Sequence, residues 1–278
     1  MQRALVAPFL ARRIWDRPPF CVDLVCCSEC GFMFYNPRLD ASEEARLYKG
    51  YRTQEYQQGR HASEPWYTAR FNAGLASLSS YELRRRAVRE VLAQHIGGRE
   101  IRRILDYGGD RGDLVDGLVD GAAAFVYDIS GIPPADGVTS ITDPATCNPD
   151  LIVNSNVLEH VGSPRRLLSE MLKIAPSGGL IFIEVPSETP LGAKRIIRRL
   201  AQVGIMSLLR PALIRHVIRP ASLFMMHEHI NYFTERSLTK LMHVCGGTVA
   251  AAGTYTLAGT LEKEQLAWCL AVVKEKHS

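Results

Sequence analysis

The chain has 278 residues, of which 46% are apolar and 22% charged, and a formal net charge of +4. This composition suits a globular protein with one substantial core or two modest ones, and it excludes a disordered or fibrous chain. So mild a positive balance does not point to nucleic acid, whose binders concentrate basic charge on one face.

The first fifteen residues carry a short apolar stretch broken by Pro8 and followed by Arg12 and Arg13. They lack the apolar centre and small-residue cleavage site of a secretory signal. No run reaches the ~20 apolar residues that cross a bilayer. The expectation is therefore a cytoplasmic protein. Of seven cysteines, Cys147, Cys245 and Cys269 sit in apolar surroundings and read as small buried hydrophobes, whereas Cys21, Cys26, Cys27 and Cys30 crowd together.

Residues 1–60 read as an irregular, cysteine-bearing N-terminal segment with prolines at 18, 19 and 37. Residues 61–100 read as helical, above all Tyr81 to His95, where Leu83, Ala87, Val88, Val91 and Leu92 fall near helical spacing. Gly97-Gly98 stops that helix. From 101 to 187 strands and helices alternate. Arg103–Tyr107 is a buried strand, followed by a glycine turn and an expected helix from about Asp113. Further strands are expected at Ala123–Asp128, Val138–Ile141, Asp150–Asn154 and Leu180–Val185. Ser163-Pro164 opens a helix carrying Leu167, Leu168, Met171 and Leu172. Residues 190–226 read as a basic-apolar helical insertion, and last strands are expected near Thr248–Val249 and Leu266–Val273. The pattern predicts an α/β fold: a Rossmann-like, mainly parallel sheet with helices on both faces, plus a small irregular and helical N-terminal region. The domain reading is 1–60 for the cysteine segment and 61–278 for the catalytic domain.

In such a sheet, ligands sit beyond the carboxyl ends of the strands, where strand order reverses. The first strand ends in Asp106-Tyr107-Gly108-Gly109-Asp110-Arg111-Gly112, and the second in Asp128, placed to accept hydrogen bonds from ribose hydroxyls. A dinucleotide fingerprint would need glycines where Asp110 and Asp113 stand, and two acids would repel a pyrophosphate. A ligand with cationic groups and no phosphates suits the same acids.

Three segments resemble motifs of class I S-adenosylmethionine-dependent methyltransferases: Ile104 to Gly112, Asp150 to Val161 with its Leu-Glu-His-Val ending, and Pro176 to Pro186. The resemblance covers about residues 100–245. It implies S-adenosylmethionine as cofactor, with Asp106, Gly108, Gly109 and Gly112 at the methionine end, Asp128 at the ribose, and Thr142 and Asp143 near adenine. Asn154 and Asn156 would face the cofactor, and Glu159 would help hold it. Asp110 departs from the family's usual glycine. His-Glu-His-Ile-Asn-Tyr-Phe at 227–233 resembles a segment of sugar C-methyltransferases, which implies Glu228 and His229 as the catalytic pair that serves the acceptor. A histidine titrates near neutral pH and suits a general base. His160 has the weaker claim, a structural reading being preferred there. The expected partner is a small acceptor methylated at a hydroxyl or carbon, a sugar or lipid-linked glycan by resemblance. The rival reading is a degenerate methyltransferase fold that binds or scaffolds without turnover.

Cys27-x-x-Cys30-Gly31-Phe32 resembles the second half of a zinc-binding segment that precedes some of these domains. A structural zinc takes four ligands, and Cys26 abutting Cys27 spaces them poorly, so the metal-free reading is preferred. Residues 194–219 hold seven Lys/Arg and no acid among many apolar residues. They read either as a helical cap or as an interfacial helix approaching anionic lipid.

Overall fold

The computed structural model describes residues 1–51, 53–70, 78–257 and 264–274. Residues 71–77 of the expected helical stretch lie outside the described residues. The chain forms two compact units, residues 1–75 with 159–162 and 188–232, and residues 76–158 with 163–187 and 233–278.

The first unit is built on a five-stranded sheet. Strands β1 (Gln2–Val6), β2 (Cys21–Cys26) and β3 (Met33–Asn36) form an antiparallel ribbon, β1 to β2 and β2 to β3, and β1 pairs in parallel on its other side. Two short strands from far along the chain complete it: β9 (Met225–Met226) beside β1, and β10 (Asn231–Tyr232) beside β3, giving the order β10-β3-β2-β1-β9. Helices α1 (Pro8–Trp15), α2 (Ala41–Tyr48) and α3 (Gln54–Ser63) belong to the same unit. Asp40 caps α2 through a reciprocal pairing with Glu43, and the Thr53 hydroxyl caps α3. Residues 1–60 are thus not irregular. Alternate residues Val22 and Leu24 of β2 turn into a core with Ala4, Val6, Phe9, Leu10 and Tyr35, but the alternation lasts only six residues between prolines and cysteines. The same unit holds α6 (Ala193–Leu209) and α7 (Ile214–Val217), within the stretch expected to be a helical insertion.

The second unit is the Rossmann-like α/β body. Its helices are α4 (Leu78–His95), α5 (Pro164–Ile174) and α8 (Glu235–Val244). Its strands are β4 (Arg103–Tyr107), β5 (Ala123–Tyr127), β6 (Val138–Ser140), β7 (Leu151–Ser155), β8 (Leu180–Pro186), β11 (Thr248–Leu257) and β12 (Glu264–Val272). They form one sheet in the order β11-β12-β8-β7-β4-β5-β6. The five strands from β6 to β8 are parallel, while β12 and β11 are antiparallel additions at the β8 edge. Every residue of β8 is buried, as expected for an apolar strand covered on both faces. Strand order reverses between β4 and β7, so the carboxyl ends of these two strands flank the switch point.

One expected element is absent. Residues 110–121 form successive turns rather than a helix from Asp113. Gly112, Gly117 and Gly121 have φ of 78°, 62° and 76°. A right-handed helix cannot continue through the left-handed region, and glycine enters it without the Cβ penalty. Pro164 does open α5, with Ser163 at the cap position but without a side-chain capping bond.

Candidate functional site

At the switch point, β4 delivers the side chain of Asp106 into the interior, where it is 1% exposed. The chain then turns at Gly108, with φ of 81° and its N–H donated to Tyr127 O. A Cβ on Gly109 would stand 1.9 Å from the Asp106 carboxyl carbon, and one on Gly108 would stand 2.9 Å from Val157. At such distances a side chain fits only if the turn or its neighbour shifts. The turn thus wraps its bare backbone around a buried acid. Asp110, at φ 59°, occupies the left-handed region as a non-glycine residue and donates its N–H to Asp128 Oδ2 at 2.9 Å. The other Asp128 oxygen accepts from Ser130 N at 2.7 Å. The Asp128 carboxylate therefore braces the glycine turn, and each oxygen keeps a further lone pair.

Burial, reinforced by Asp128, Glu184, Asp110 and Asp113, pushes the Asp106 carboxyl up to about 8. Its Oδ1 has no hydrogen-bond partner. Asn154, fully buried on β7, donates from Nδ2 to Tyr107 O at 2.7 Å and leaves its own Oδ1 unpaired. A buried, proton-holding acid among further acids is the environment a cation would relieve.

Asn156, at φ 55°, donates its N–H to Glu184 O at 3.0 Å. With its amide turned to satisfy both partners, its Oδ1 accepts from Arg84 at 2.8 and 2.9 Å. Arg84 comes from α4 and reaches Glu264 at 3.1 Å and Glu184 at 3.6 Å. Glu184, fully buried, also takes Ser155 and Tyr255 hydroxyls. This Arg84–Glu184 network escaped the sequence reading because an arginine on one helix face carries no sign of the strand it meets. Thr142 and Asp143 stand after β6, where Asp143 caps the short turn 144–147 through Ala145 N.

The histidine segment lies in the first unit. His229 Nδ1 stands 2.6 Å from Glu188 Oε1. Since a carboxylate only accepts, Nδ1 of His229 is the nitrogen that carries a proton in this pair. His160 packs edge-on against it, ring centroids 4.7 Å apart, with Nδ1 3.1 Å from Glu228 O. Burial, then the neighbouring His229, pushes His160 down to about 3, so it is neutral. The loop 159–162 that carries it is pinned by Arg38 and by Asn231, which donate to Val161 O.

Glu228 does not pair with His229 through its carboxylate. It accepts from Arg60 at 2.6 Å and from the Tyr56 hydroxyl at 2.7 Å. Arg60 also binds buried Glu64 at 3.1 Å, and Glu64 reaches His227 Nδ1 at 3.1 Å. Burial raises Glu64, but His227 and Arg60 override it and hold the carboxyl at about 2. Burial and then Arg199 push His227 below the usual histidine range. The Tyr48 hydroxyl is buried without a hydrogen-bond partner, and its ring packs edge-on to His160 at 6.1 Å. Glu188, Tyr48, Arg60 and Glu64 were not singled out from the sequence, because their partners lie far away along the chain.

Among the described residues, the only cluster of three metal-ligating groups is Glu159, His160 and His229, whose candidate atoms lie within 4.8 Å of one another. Cys21 and Cys26 do not join Cys27 and Cys30 in such a set. Backbone N–H groups of Cys30 and Glu29, more than the neighbouring thiol, pull Cys27 below the usual thiol range.

A parallel sheet reversing between β4 and β7, with a glycine turn over a buried acid, defines a class I methyltransferase fold. The chain matches the methyltransferase domain family over residues 77–251, more than half its length, and belongs to that family. It is an S-adenosylmethionine-dependent enzyme whose cofactor is S-adenosylmethionine. Among solved structures, the chain is similar to the 1,6-didemethyltoxoflavin N1-methyltransferase of Burkholderia thailandensis, determined with its substrate and S-adenosylhomocysteine. The two are 14% identical, with a TM-score of 0.50 and coverage of 91% of this chain and 95% of that one. The magnesium protoporphyrin IX methyltransferase of Synechocystis, with bound S-adenosylhomocysteine, is 13% identical with a TM-score of 0.45, covering 76% and 99%. No curated protein matches the chain in sequence.

Proposed function

We propose that the chain methylates a hydroxyl or an acidic carbon of a small acceptor, with His229 as general base. The observation that carries this reading is the Glu188–His229 pair. Glu188 fixes one tautomer and stabilises the imidazolium that forms when Nε2 takes a proton. Glu228, clamped between Arg60 and Tyr56, is a positioning residue: its backbone carbonyl orients His160, and its carboxylate anchors the segment that carries His229. Tyr48 supplies a hydroxyl free to bond an acceptor oxygen.

The cofactor reading fits the switch-point turn. Asp106 and the backbone of Gly108, Gly109 and Gly112 would take the cationic methionine end, Asp128 the ribose hydroxyls, and Asn154 and Asn156 the strand-side face. Bound there, S-adenosylmethionine supplies a methyl group already activated on a cationic sulfur. This chain's residues hold the ligand and remove the acceptor's proton. A sugar or glycoconjugate acceptor rests on the His227–Phe233 resemblance alone, and kinship with relatives that carry a cysteine segment rests on the Cys27–Phe32 resemblance.

The test is release of S-adenosylhomocysteine across a panel of sugars, lipid-linked sugars and phenols. His229→Gln should suppress turnover on any accepted substrate while leaving S-adenosylhomocysteine binding intact. Full turnover in the variant would remove His229 from the mechanism. Cofactor binding without turnover on any acceptor would favour the scaffold reading.

A further inference from the structure

The exposed face of α6 reverses the usual pattern of a helix on a protein surface. Its exposed residues are Ile197, Leu200, Ala201, Gly204, Ile205, Leu208 and Leu209, with Arg198 the only charged one among its described side chains. Ile197 is 67% exposed and Leu208 81%. On the opposite side, Met206 is fully buried in a core with Leu5, Ala7, Val217 and Met225. The helix is therefore already anchored on its own inner face, and the outer stripe is surplus to folding. The apolar run continues past the helix end through Ile214 and Ile218, both exposed.

The charged residues of this stretch of chain all have one sign. Between residues 189 and 227 there is no Asp or Glu, while Lys194, Arg195, Arg198, Arg199, Arg210, Arg215 and Arg219 are all basic. Arg198, Arg215 and Arg219 are exposed beside the apolar residues. No helix among the described residues is long and apolar enough to cross a membrane. A helix of 17 residues spans about 25 Å, enough to lie along a bilayer surface.

We propose that α6 and the following segment to Arg219 dock on an anionic lipid bilayer, with the apolar stripe among the acyl chains and Arg198, Arg215 and Arg219 at the phosphates. A second copy is the poorer occupant. A two-fold interface sets a patch against itself, and this one would bring its whole cationic set against the same set. An anionic surface neutralises the charges instead, and both attractions then act together.

The experiment is co-sedimentation of the full chain with phosphatidylcholine vesicles and with vesicles that also contain phosphatidylglycerol. Binding to the anionic vesicles alone, weakened by added salt, is expected. Leu208→Asp should reduce partitioning about tenfold or more, since a leucine withdrawn from water is worth at least that factor. Ile197→Asp provides an independent check. Both residues are exposed, so melting and S-adenosylhomocysteine binding should remain those of the parent. No sedimentation with anionic vesicles would overturn the proposal. So would a dimer in solution that Leu208→Asp dissociates, because the stripe would then be covered by a second copy.

Discussion

Glu188 holds His229 at 2.6 Å through Nδ1, and the two residues come from chain positions 41 apart. The carboxylate fixes a proton on Nδ1, so as the proposed base His229 would act through its other ring nitrogen. Glu188→Gln retains a hydrogen-bonding partner but removes the negative charge that stabilises the imidazolium. We expect kcat to fall about tenfold or more, with KM little changed, and the pH at half-maximal rate to move down. His229→Gln should cost roughly 10²–10⁴ in kcat, the usual range for a general base. Measuring kcat and KM separately across pH distinguishes both effects from a structural defect.

Cofactor affinity should rise with pH until the Asp106 carboxyl has ionised. In the unliganded protein that group titrates near 8, so it is largely protonated at neutral pH. A bound cation favours its ionised form, so binding expels a proton and strengthens by up to about tenfold per pH unit below that value. Titration calorimetry with S-adenosylhomocysteine in buffers of different ionisation enthalpy reads the proton directly. Asp106→Asn should abolish the dependence, and a pH-independent affinity in the parent would contradict the assignment.

The same group makes a stability prediction for the unliganded protein. A carboxyl whose folded value is raised contributes stability that is complete below its unfolded value, near 4, and is lost as pH climbs through 8. Asp106→Asn removes the ionisable acid, so its melting temperature should exceed that of the parent increasingly across this interval. Parallel curves for the two proteins would sink the idea.

Gly109→Ala should abolish cofactor binding outright. The added methyl would lie 1.9 Å from the Asp106 carboxyl, so either the turn opens or the acid is displaced. Gly178→Ala is a useful control, since nothing stands within 4 Å of its Cβ; its φ of 78° adds local strain but leaves the cofactor turn untouched. Binding of S-adenosylhomocysteine to each variant, with circular dichroism to verify folding, separates the two cases.

Arg60 joins Glu64 and Glu228, all three nearly buried. Arg60→Ala leaves two buried carboxylates without their cation and should destabilise the protein by about 3–5 kcal/mol, the usual cost of breaking a buried pair. Glu228→Gln, which keeps the hydrogen-bonding shape, should cost less. Chemical denaturation of the three proteins tests the order.

The α/β body was legible because its signals are local. A run such as Ile104-Leu105-Asp106-Tyr107 followed by Gly108-Gly109 shows strand and turn within a few residues, and the strands from β4 to β8 appear where expected. The helix expected from Asp113 does not form because Gly112, Gly117 and Gly121 take left-handed backbone angles that interrupt it. The first unit was illegible for the opposite reason: β1 finds its partner at Met225, and β3 finds one at Asn231. Nothing in either short run specifies a partner so far away. The site divides in the same way. Asp106, Gly108, Gly109 and Gly112 share one local turn, and Asp128 ends the next strand beside it. Arg60, Glu64 and Glu188 meet the histidine segment only after the chain has returned to it.

That return has a consequence for how the protein is made. A chain emerging from the ribosome presents β1, β2 and β3 early, but β9 and β10 appear only some two hundred residues later. Until then both margins of the nascent three-stranded ribbon remain open to pairing with other chains. Non-local strand pairing also folds slowly. The interval before Tyr232 is translated is therefore when these strand edges are most open to other chains, and fragments that stop short of residue 225 should accumulate as aggregates.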